Sequence, residues 1–186
     1  MLKRRFYYNG REMNIFDYRK TGDYLYIITA AIVVDLIVIF LARYPRENPV
    51  FNVKSLNDWY EKFGFLAAAA DILSLILGVT AARYIYSGLG LQNSLWFFVV
   101  VVVLFQLFHD IFFYLAVITQ LPKGENKMID VFSEYAKEAG GKILVADASM
   151  MIGTTLLATF LKGLPTHWTV SSLTLSLYAL CFILYT

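Results

Sequence analysis

Five long apolar segments, separated by polar stretches, divide the chain. They cover approximately residues 24–42, 63–82, 95–118, 143–161 and 168–185. A helix needs roughly 20 consecutive apolar residues to cross a bilayer, whereas a buried strand is rarely longer than about 8. Only a helix satisfies its own backbone hydrogen bonds in lipid. The pattern therefore predicts an all-α protein, a polytopic membrane bundle of about five transmembrane helices within residues 24–186.

Two polar segments flank the first predicted span. Residues 1–23 form a basic arm that is rich in aromatic side chains, which suits an anionic lipid surface or an acidic protein partner. It is equally consistent with an ordinary juxtamembrane flank. Residues 43–62 form a polar loop with two prolines, and this composition indicates a docking loop rather than a tight turn.

The other long polar loop, residues 121–141, has internal order of its own. Between Met128 and Ala139 apolar residues recur at helical spacing, which predicts one amphipathic helix at the membrane interface or against a partner. Asn126 is a suitable N-cap, and Gly140 a suitable stop.

The overall composition supports the membrane assignment. Hydrophobic residues make up 59% of the 186 residues and charged residues 16%, whereas soluble domains contain about 45–50% and about 25%. Basic residues divide equally between the two sides of the predicted bundle, so the positive-inside rule gives no orientation. No cleavable signal peptide is expected, and the single cysteine, Cys181, excludes an internal disulfide.

Acidic residues inside the predicted spans are the main candidates for chemistry. One falls in each of the first four spans, at Asp35, Asp71, Asp110 and Asp147. Counted from the side opposite the N-terminus at about 1.5 Å per residue, they lie about 6 to 15 Å deep, in one half of the bilayer. His109 precedes Asp110, and no Lys or Arg falls inside a predicted span.

Two interpretations of this membrane-embedded polar layer remain open, besides misplaced span boundaries. The four carboxyl groups, with His109, form a proton or cation site, since ionisable groups in a membrane often mark ion pathways. Alternatively, protonated aspartates bond to hydroxyl or carbonyl groups and hold the helices together. The first predicts a small channel or transporter, and the second a structural protein; a membrane-embedded enzyme that uses the same carboxylates is a more distant hypothesis.

Small residues at four-residue spacing indicate close helix packing in the second and fourth spans. The packing residues are Ala70, Ser74, Gly78, Ala82, Ser149 and Gly153. We expect the second and fourth spans to meet inside the bundle, although a homo-oligomer interface would explain the same pattern.

Aromatic and basic side chains in the arm and the loops are the predicted contacts for lipid or for partner proteins. They are Lys3, Arg4, Arg5, Tyr7, Tyr8, Arg11, Trp59, Tyr60, Phe132 and Tyr135. The sequence has no Gly-rich phosphate loop, no His-Glu-x-x-His motif and no nucleophile elbow. We therefore expect no enzymatic activity, no cofactor, no metal and no nucleic-acid partner.

The last two fifths of the chain carry a recognisable series of short motifs. These are His109-Asp110, Phe112-Phe113-Tyr114, Pro122-x-Gly-x-Asn126-x-Met128-x-Asp130-x-Phe132, Tyr135-Ala136-Lys137-Glu138-x-Gly140, Ala146-Asp147-x-Ser149-Met150-Met151 and Leu184-Tyr185-Thr186. The series resembles multi-pass membrane proteins of large icosahedral double-stranded DNA viruses of algae and protists. The first 90 residues add nothing to this resemblance.

The resemblance implies a virion component in the lipid membrane beneath an icosahedral capsid. Such a minor capsid protein would anchor the internal membrane to the capsid shell, and would reside in a host endomembrane during assembly. Its expected partners are the lipid bilayer and capsid or other membrane proteins.

Overall fold

The computed structural model describes residues 7–8, 11–44, 53–90 and 94–185. The helices are α1 (Tyr24–Arg43), α2 (Lys54–Phe63), α3 (Phe65–Gly88), α4 (Leu95–Phe113), α5 (Lys127–Ala139), α6 (Lys142–Gly163) and α7 (Thr166–Ile183). A short 3₁₀ turn, Thr21–Asp23, precedes α1, and a π-helical turn, Tyr114–Ile118, continues α4. The described chain is thus almost entirely helical.

The predicted arm begins with a minimal β pairing. The two-residue strands β1 (Tyr7–Tyr8) and β2 (Arg11–Glu12) are antiparallel, with Tyr7 opposite Glu12 and Tyr8 opposite Arg11. Tyr7, Tyr8 and Arg11 are predicted contact residues, and the structure describes their backbone pairing. The other predicted contacts in the arm, Lys3, Arg4 and Arg5, lie outside the described residues.

Four described helices are long and apolar enough to span a membrane. The segments are Thr21–Arg43, Phe65–Gly88, Leu95–Ile118 and Lys142–Gly163. The fifth predicted span does form a helix, α7. Its 18 residues include many serines and threonines, so it is not hydrophobic enough to be counted with the other four. The architecture is that of an integral membrane protein, and the predicted number of five spans is not confirmed.

The spanning helices form a four-membered ring. α1 packs against α3 and α6, α4 closes the ring by packing against the same two helices, and α7 lies outside it, mainly against α1. Large apolar side chains cover the outer surface, among them Leu77, Leu104, Phe108 and Val145. An outer surface of this kind is compatible with lipid, whereas a water-soluble domain rarely exposes apolar patches of that extent.

Helix α2 is an addition to the predicted architecture, because the polar, proline-containing composition of residues 43–62 predicts a loop there. Its residues Leu56, Trp59, Tyr60 and Phe63 lie on one face and pack into an apolar cluster. Gly64, with φ +49°, then turns the chain from α2 into α3. A side chain there would be strained, and its Cβ would also lie 3.3 Å from the Tyr185 hydroxyl.

Helix α5 is present where the amphipathic pattern predicts it. The Asn126 side chain accepts hydrogen bonds from the backbone N–H groups of Met128, at 2.9 Å, and Ile129, at 3.3 Å. Gly140 ends the helix at φ +55°, a conformation that favours glycine. α2 and α5 pack together at the end of the bundle opposite the N-terminal segment. We call this end the loop side and the helix pair the α2–α5 cap.

The interior contains two apolar clusters, one toward each end of the bundle. The N-terminal cluster includes Val79, Phe98, Val102 and Met151, all fully buried. The loop-side cluster is built around Ile39, Trp59, Tyr60, Ala67, Ala68, Val131 and Leu180. The predicted arm contributes to the first cluster, since Ile15 and the Phe16 ring are buried in it; Phe16 contacts the rings of Tyr86 and Phe98 at 5.4 and 4.9 Å.

Candidate functional site

The four membrane-embedded aspartates lie on the four helices of the ring. We call Asp35 of α1, Asp71 of α3, Asp110 of α4 and Asp147 of α6 the carboxylate layer. Along α1 the layer falls between residues of the N-terminal cluster and of the loop-side cluster, and the same holds along α3. The bundle therefore places a polar layer between two apolar ones.

Asp71 is the member of the layer that binds the cap. Its Oδ2 accepts hydrogen bonds from the Trp59 indole N–H and the Tyr60 hydroxyl, both at 3.0 Å. Burial, and then the nearby Asp71 and Asp35 carboxyl groups, raises the pKa of the Tyr60 phenol well above its ordinary value. Tyr60 therefore remains protonated and donates to Asp71 at any physiological pH.

Asp110 is held by two neighbours on its own helix. Gln106 Nε2 donates to Asp110 Oδ1 at 2.7 Å, and His109 Nδ1 lies 3.2 Å from the same oxygen. Adjacent residues of a helix point in different directions, but the His109 side chain bends toward Asp110, the next residue. The second carboxyl oxygen, Oδ2, is buried without a hydrogen-bond partner in the described structure. The π-helical turn begins four residues later, at Tyr114.

Asp35 is the least compensated group of the layer. Its side chain is fully buried, and neither carboxyl oxygen has a hydrogen-bond partner among the described residues. Its electrostatic neighbour is the Asp71 carboxyl group. Asp147 in turn interacts with both Asp71 and Asp110, so the four groups form an electrostatically connected series. Each of the four groups is thus within electrostatic reach of at least one other member of the layer.

Comparison with known proteins gives no match. No family model, no curated protein sequence and no solved structure is significantly similar to the chain. Within the described residues, no group of three or more His, Cys, Asp or Glu side chains is arranged to hold a metal ion.

The predicted contact residues of the loops face inward in the structure. Trp59 and Tyr60 are only 3% and 2% exposed, because their face of α2 packs on the bundle. The Trp59 ring lies 4.6 Å from that of Phe132, and Tyr135 is near enough to Asp147 and Asp71 to interact with them. This corrects the expectation that Trp59 and Tyr60 contact a partner or lipid directly: these aromatic residues assemble the cap.

The contact between the two halves of the cap is polar at its outer edge. The Glu138 carboxylate of α5 accepts hydrogen bonds from the backbone N–H groups of Lys54 and Ser55, each at 2.9 Å, and from the Ser55 hydroxyl. These donors belong to the first turn of α2, whose N–H groups have no partner within the helix. α5 therefore supplies the N-terminal cap of α2.

The small residues predicted for helix packing divide into two groups. A Cβ on Gly78 would lie 2.7 Å from the end of the Met151 side chain, so Gly78 leaves room for this side chain of α6, and Ala82 on the same stripe is fully buried. Gly153 instead meets Val34 of α1. Ala70 and Ser74 are half-buried. Ser149 is exposed, so it does not pack inside the bundle, and its hydroxyl donates to the Val145 carbonyl at 2.7 Å.

The N-terminal side contains a buried ionic network that was not expected from the sequence. Asp23 bridges Arg83 of α3, at 3.3 Å, and Lys162 of α6, at 2.5 Å. Arg83 is fully buried, donates to the carbonyls of Asp17 and Lys20, and lies 5.1 Å above the Tyr24 ring.

This network corrects the expectation that Arg83 closes a span at the membrane surface. α3 continues five residues beyond Arg83, to Gly88, so a basic residue does lie within a spanning helix. The charge is partly compensated at Nη2, which donates to Asp23 and to two backbone carbonyls, whereas Nε and Nη1 are buried without a hydrogen-bond partner in the described structure. The only sequence signal was a pair of basic residues, Arg83 and Lys162, that the predicted topology placed on the same side as Asp23.

Proposed function

We propose that this protein is a structural integral membrane protein that anchors a protein layer to the bilayer. The observation that carries the proposal is the attachment of the α2–α5 cap. Asp71 binds its inner face through Trp59 and Tyr60, and Glu138 joins its two helices. Because these bonds join the cap to the spanning helix α3, the outer face of the cap is held at the membrane, as an anchoring surface must be.

The outer face of the cap offers the chemistry for such an attachment. A groove of about 470 Å³ lies between the end of α2, the loop that precedes α5 and α5 itself, and its lining carries charges of both signs. Its charged lining residues are Lys62, Lys123, Lys127, Asp130 and Glu134. Mixed charge favours a specific protein partner, because pairing with a complementary surface fixes orientation as well as attraction.

The resemblance of residues 108–186 to viral membrane proteins supports a more specific version of the proposal. In that version the membrane lies inside an icosahedral virion, the partner layer is the capsid shell, and the protein acts as a minor capsid protein. The motifs that carry the resemblance include Asn126, Phe132 and Glu138, which the structure uses to build α5 and its contact with α2.

Photo-crosslinking tests this proposal in particles that carry the protein. A photoreactive amino acid at Lys137, exposed on α5, should crosslink to a capsid protein. The matched control places the same group at Leu77, which is 67% exposed on the apolar surface of α3 and should crosslink to lipid. Absence of the protein from purified particles, or crosslinks from Lys137 to lipid alone, would contradict the viral anchor.

A small proton or cation channel is the second candidate, favoured by the electrostatic connection of the four carboxyl groups. It is tested by measuring proton and cation flux in liposomes that contain the purified protein. Wild type is compared with a variant that combines Asp71→Asn and Asp110→Asn. An anchor gives no flux in either case, whereas flux that these substitutions abolish would make conduction the function.

A further inference from the structure

The Asp35 carboxyl group raises a question that anchoring does not answer. An ionised carboxylate without a hydrogen bond is very costly in an apolar interior. Asp35 has no such bond in the described structure, and its electrostatic neighbour, Asp71, would itself be negative when ionised. Such a pair is stabilised when one group carries a proton, which removes the repulsion and provides a donor.

The surroundings of the layer supply no competing positive charge except an imidazole. The groups that face it come from every element of the ring and from the cap: Asp35 on α1, Tyr60 on α2, Asp71 on α3, His109 and Asp110 on α4, Tyr135 on α5 and Asp147 on α6. In the described chain no Lys or Arg contributes to the electrostatics of Asp35, Asp71 or Asp147, and α7 contributes no titratable group to Asp35. A proton is therefore the cation that the layer is suited to hold.

The side chains of the layer differ in how far they are exposed on the surface of the bundle. His109 is 44% exposed and Asp110 is 13% exposed, whereas Asp35 at the other end of the series is fully buried. The His109 ring stacks on Phe113 at 6.0 Å, and Phe113 meets Phe132 of the cap at 6.1 Å. His109 is therefore the most exposed group of this series, and its contact with Asp110 suits the entrance.

The opposite end of the bundle is closed. Below the layer lie the fully buried side chains Val79, Phe98, Val102 and Met151 of the N-terminal cluster. Beyond them lies the network of Asp23, Arg83 and Lys162, whose two cations oppose the passage of a proton. The described side chains of the cluster include no carboxyl or imidazole group, and the Asp23 carboxylate beyond them is paired with both cations.

We propose that the carboxylate layer is a proton-binding site, loaded from the loop side through His109 and Asp110 and closed toward the N-terminal side. The proton is shared within the layer and reaches Asp35, the most deeply buried carboxyl group. The site binds and releases protons at one membrane face and does not conduct them across the bilayer. This goes beyond anchoring, and neither activity requires the other.

Infrared difference spectroscopy of the reconstituted full chain, combined with labelling by a hydrophobic carbodiimide, tests the site. At about pH 7, where free aspartates are ionised, wild type should show the carbonyl band of a carboxylic acid, and Asp35 should be labelled. Asp35→Asn should remove most of the band and the label at that position. Asp17→Asn is the matched control, because Asp17 pairs with Arg19 at the surface away from the layer, and it should leave both unchanged.

The route is tested by proton exchange at the same band. His109→Gln should slow the response of the band to a pH jump about tenfold while leaving its final amplitude unchanged. Native Trp59 fluorescence in each variant verifies that the cap remains docked. Absence of an Asp35-dependent band and label in folded wild type would overturn the site, and unchanged exchange in His109→Gln would overturn the route. Neither result concerns crosslinking to capsid, so the two proposals can fail separately.

Discussion

The dependence of α2 on Glu138 is a prediction that isolates the contact between the two cap helices. Glu138→Gln keeps the size of the side chain and removes its charge. The wild-type carboxylate accepts two backbone N–H groups and one hydroxyl in the first turn of α2. Loss of an N-cap typically costs about 1 kcal/mol, and the helix dipole adds about 0.3–1 kcal/mol for a charged group.

The magnitude must be reduced because Glu138 lies at the protein surface, where solvent screens its charge. We therefore expect α2 to lose about 1 kcal/mol of local stability, equivalent to about fivefold faster amide hydrogen exchange. The exchange of the Lys54 and Ser55 amides measures this directly. Fluorescence of Trp59, with Trp96 and Trp168 replaced by Phe, reports whether the cap also undocks.

The pH dependence follows from the same contact. The hydrogen bond from the Ser55 hydroxyl, followed by that from its backbone N–H, lowers the pKa of Glu138 below its ordinary value of 4.5. A lowered pKa in the folded state means that the stabilisation is fully present above about pH 4.5 and is lost as the pH falls through the lowered value. Exchange in α2 should accelerate over that acidic range in wild type but much less in Glu138→Gln.

The control for this prediction is Glu134→Gln on the same helix. Glu134 pairs with Lys123 at 3.4 Å and makes no contact with the first turn of α2. It should leave the exchange of α2 unchanged. If Glu138→Gln also leaves the Lys54 and Ser55 amides unaffected at neutral pH, the inference that α5 caps α2 is refuted.

Three further substitutions test the bundle by unfolding in mixed detergent micelles. Gly78→Val should destabilise it by about 1–3 kcal/mol, because a Cβ there would lie 2.7 Å from Met151. Arg83→Met should cost about 3–5 kcal/mol, since it removes one partner of the buried Asp23 carboxylate. Phe16→Ala should cost about 3–5 kcal/mol by leaving a cavity among the aromatic rings of the N-terminal cluster.

Matched controls separate these effects from general intolerance of substitution. Gly88→Val places its Cβ where nothing lies within 4 Å and should have little effect. Phe97→Ala removes the same ring as Phe16→Ala, but from a position that is 58% exposed on the apolar surface. Equal losses at the buried and the exposed member of either pair would contradict the packing described. An unchanged midpoint in Arg83→Met would show that the ionic network contributes no stability.

The helices themselves could largely be predicted, because apolar length is a local property of the sequence. The predicted segments at 24–42 and 143–161 correspond to Tyr24–Arg43 and Lys142–Gly163, with ends displaced by at most two residues. α5 could also be predicted, since its N-cap, its apolar periodicity and its terminal glycine all indicate a helix with the same bounds. These elements depend little on the rest of the fold.

Helix α2 has an apolar periodicity in the sequence, but the prolines that precede it indicate a loop. Leu56, Trp59, Tyr60 and Phe63 have the spacing of one helical face, yet the prolines earlier in the segment favoured a loop. That same face shows why Trp59 and Tyr60 were assigned to the surface. An amphipathic helix has an apolar face whether it meets lipid, a partner or its own bundle, and only the tertiary structure distinguishes these.

The candidate site could be predicted in depth but not in its lateral contacts. Counting residues placed the four aspartates in one half of the bilayer, and the position of Gln106 four residues before Asp110 already allowed their hydrogen bond. The connection of Asp35 to Asp71 depends on which helices are neighbours. Likewise, the sequence marks Arg83 only as the end of a span, because the residues that form its ionic network, Asp23 and Lys162, are far away in sequence.

The ionic network also has a consequence for the order of events during biosynthesis. Asp23 emerges from the ribosome first, Arg83 follows with the second span, and Lys162 arrives only when the fourth span is complete. A guanidinium entering the bilayer by itself is costly, so we expect Arg83 to pair with Asp23 when α3 inserts. Lys162 then completes the Asp23 site, and its arrival marks the point at which the nascent bundle can close.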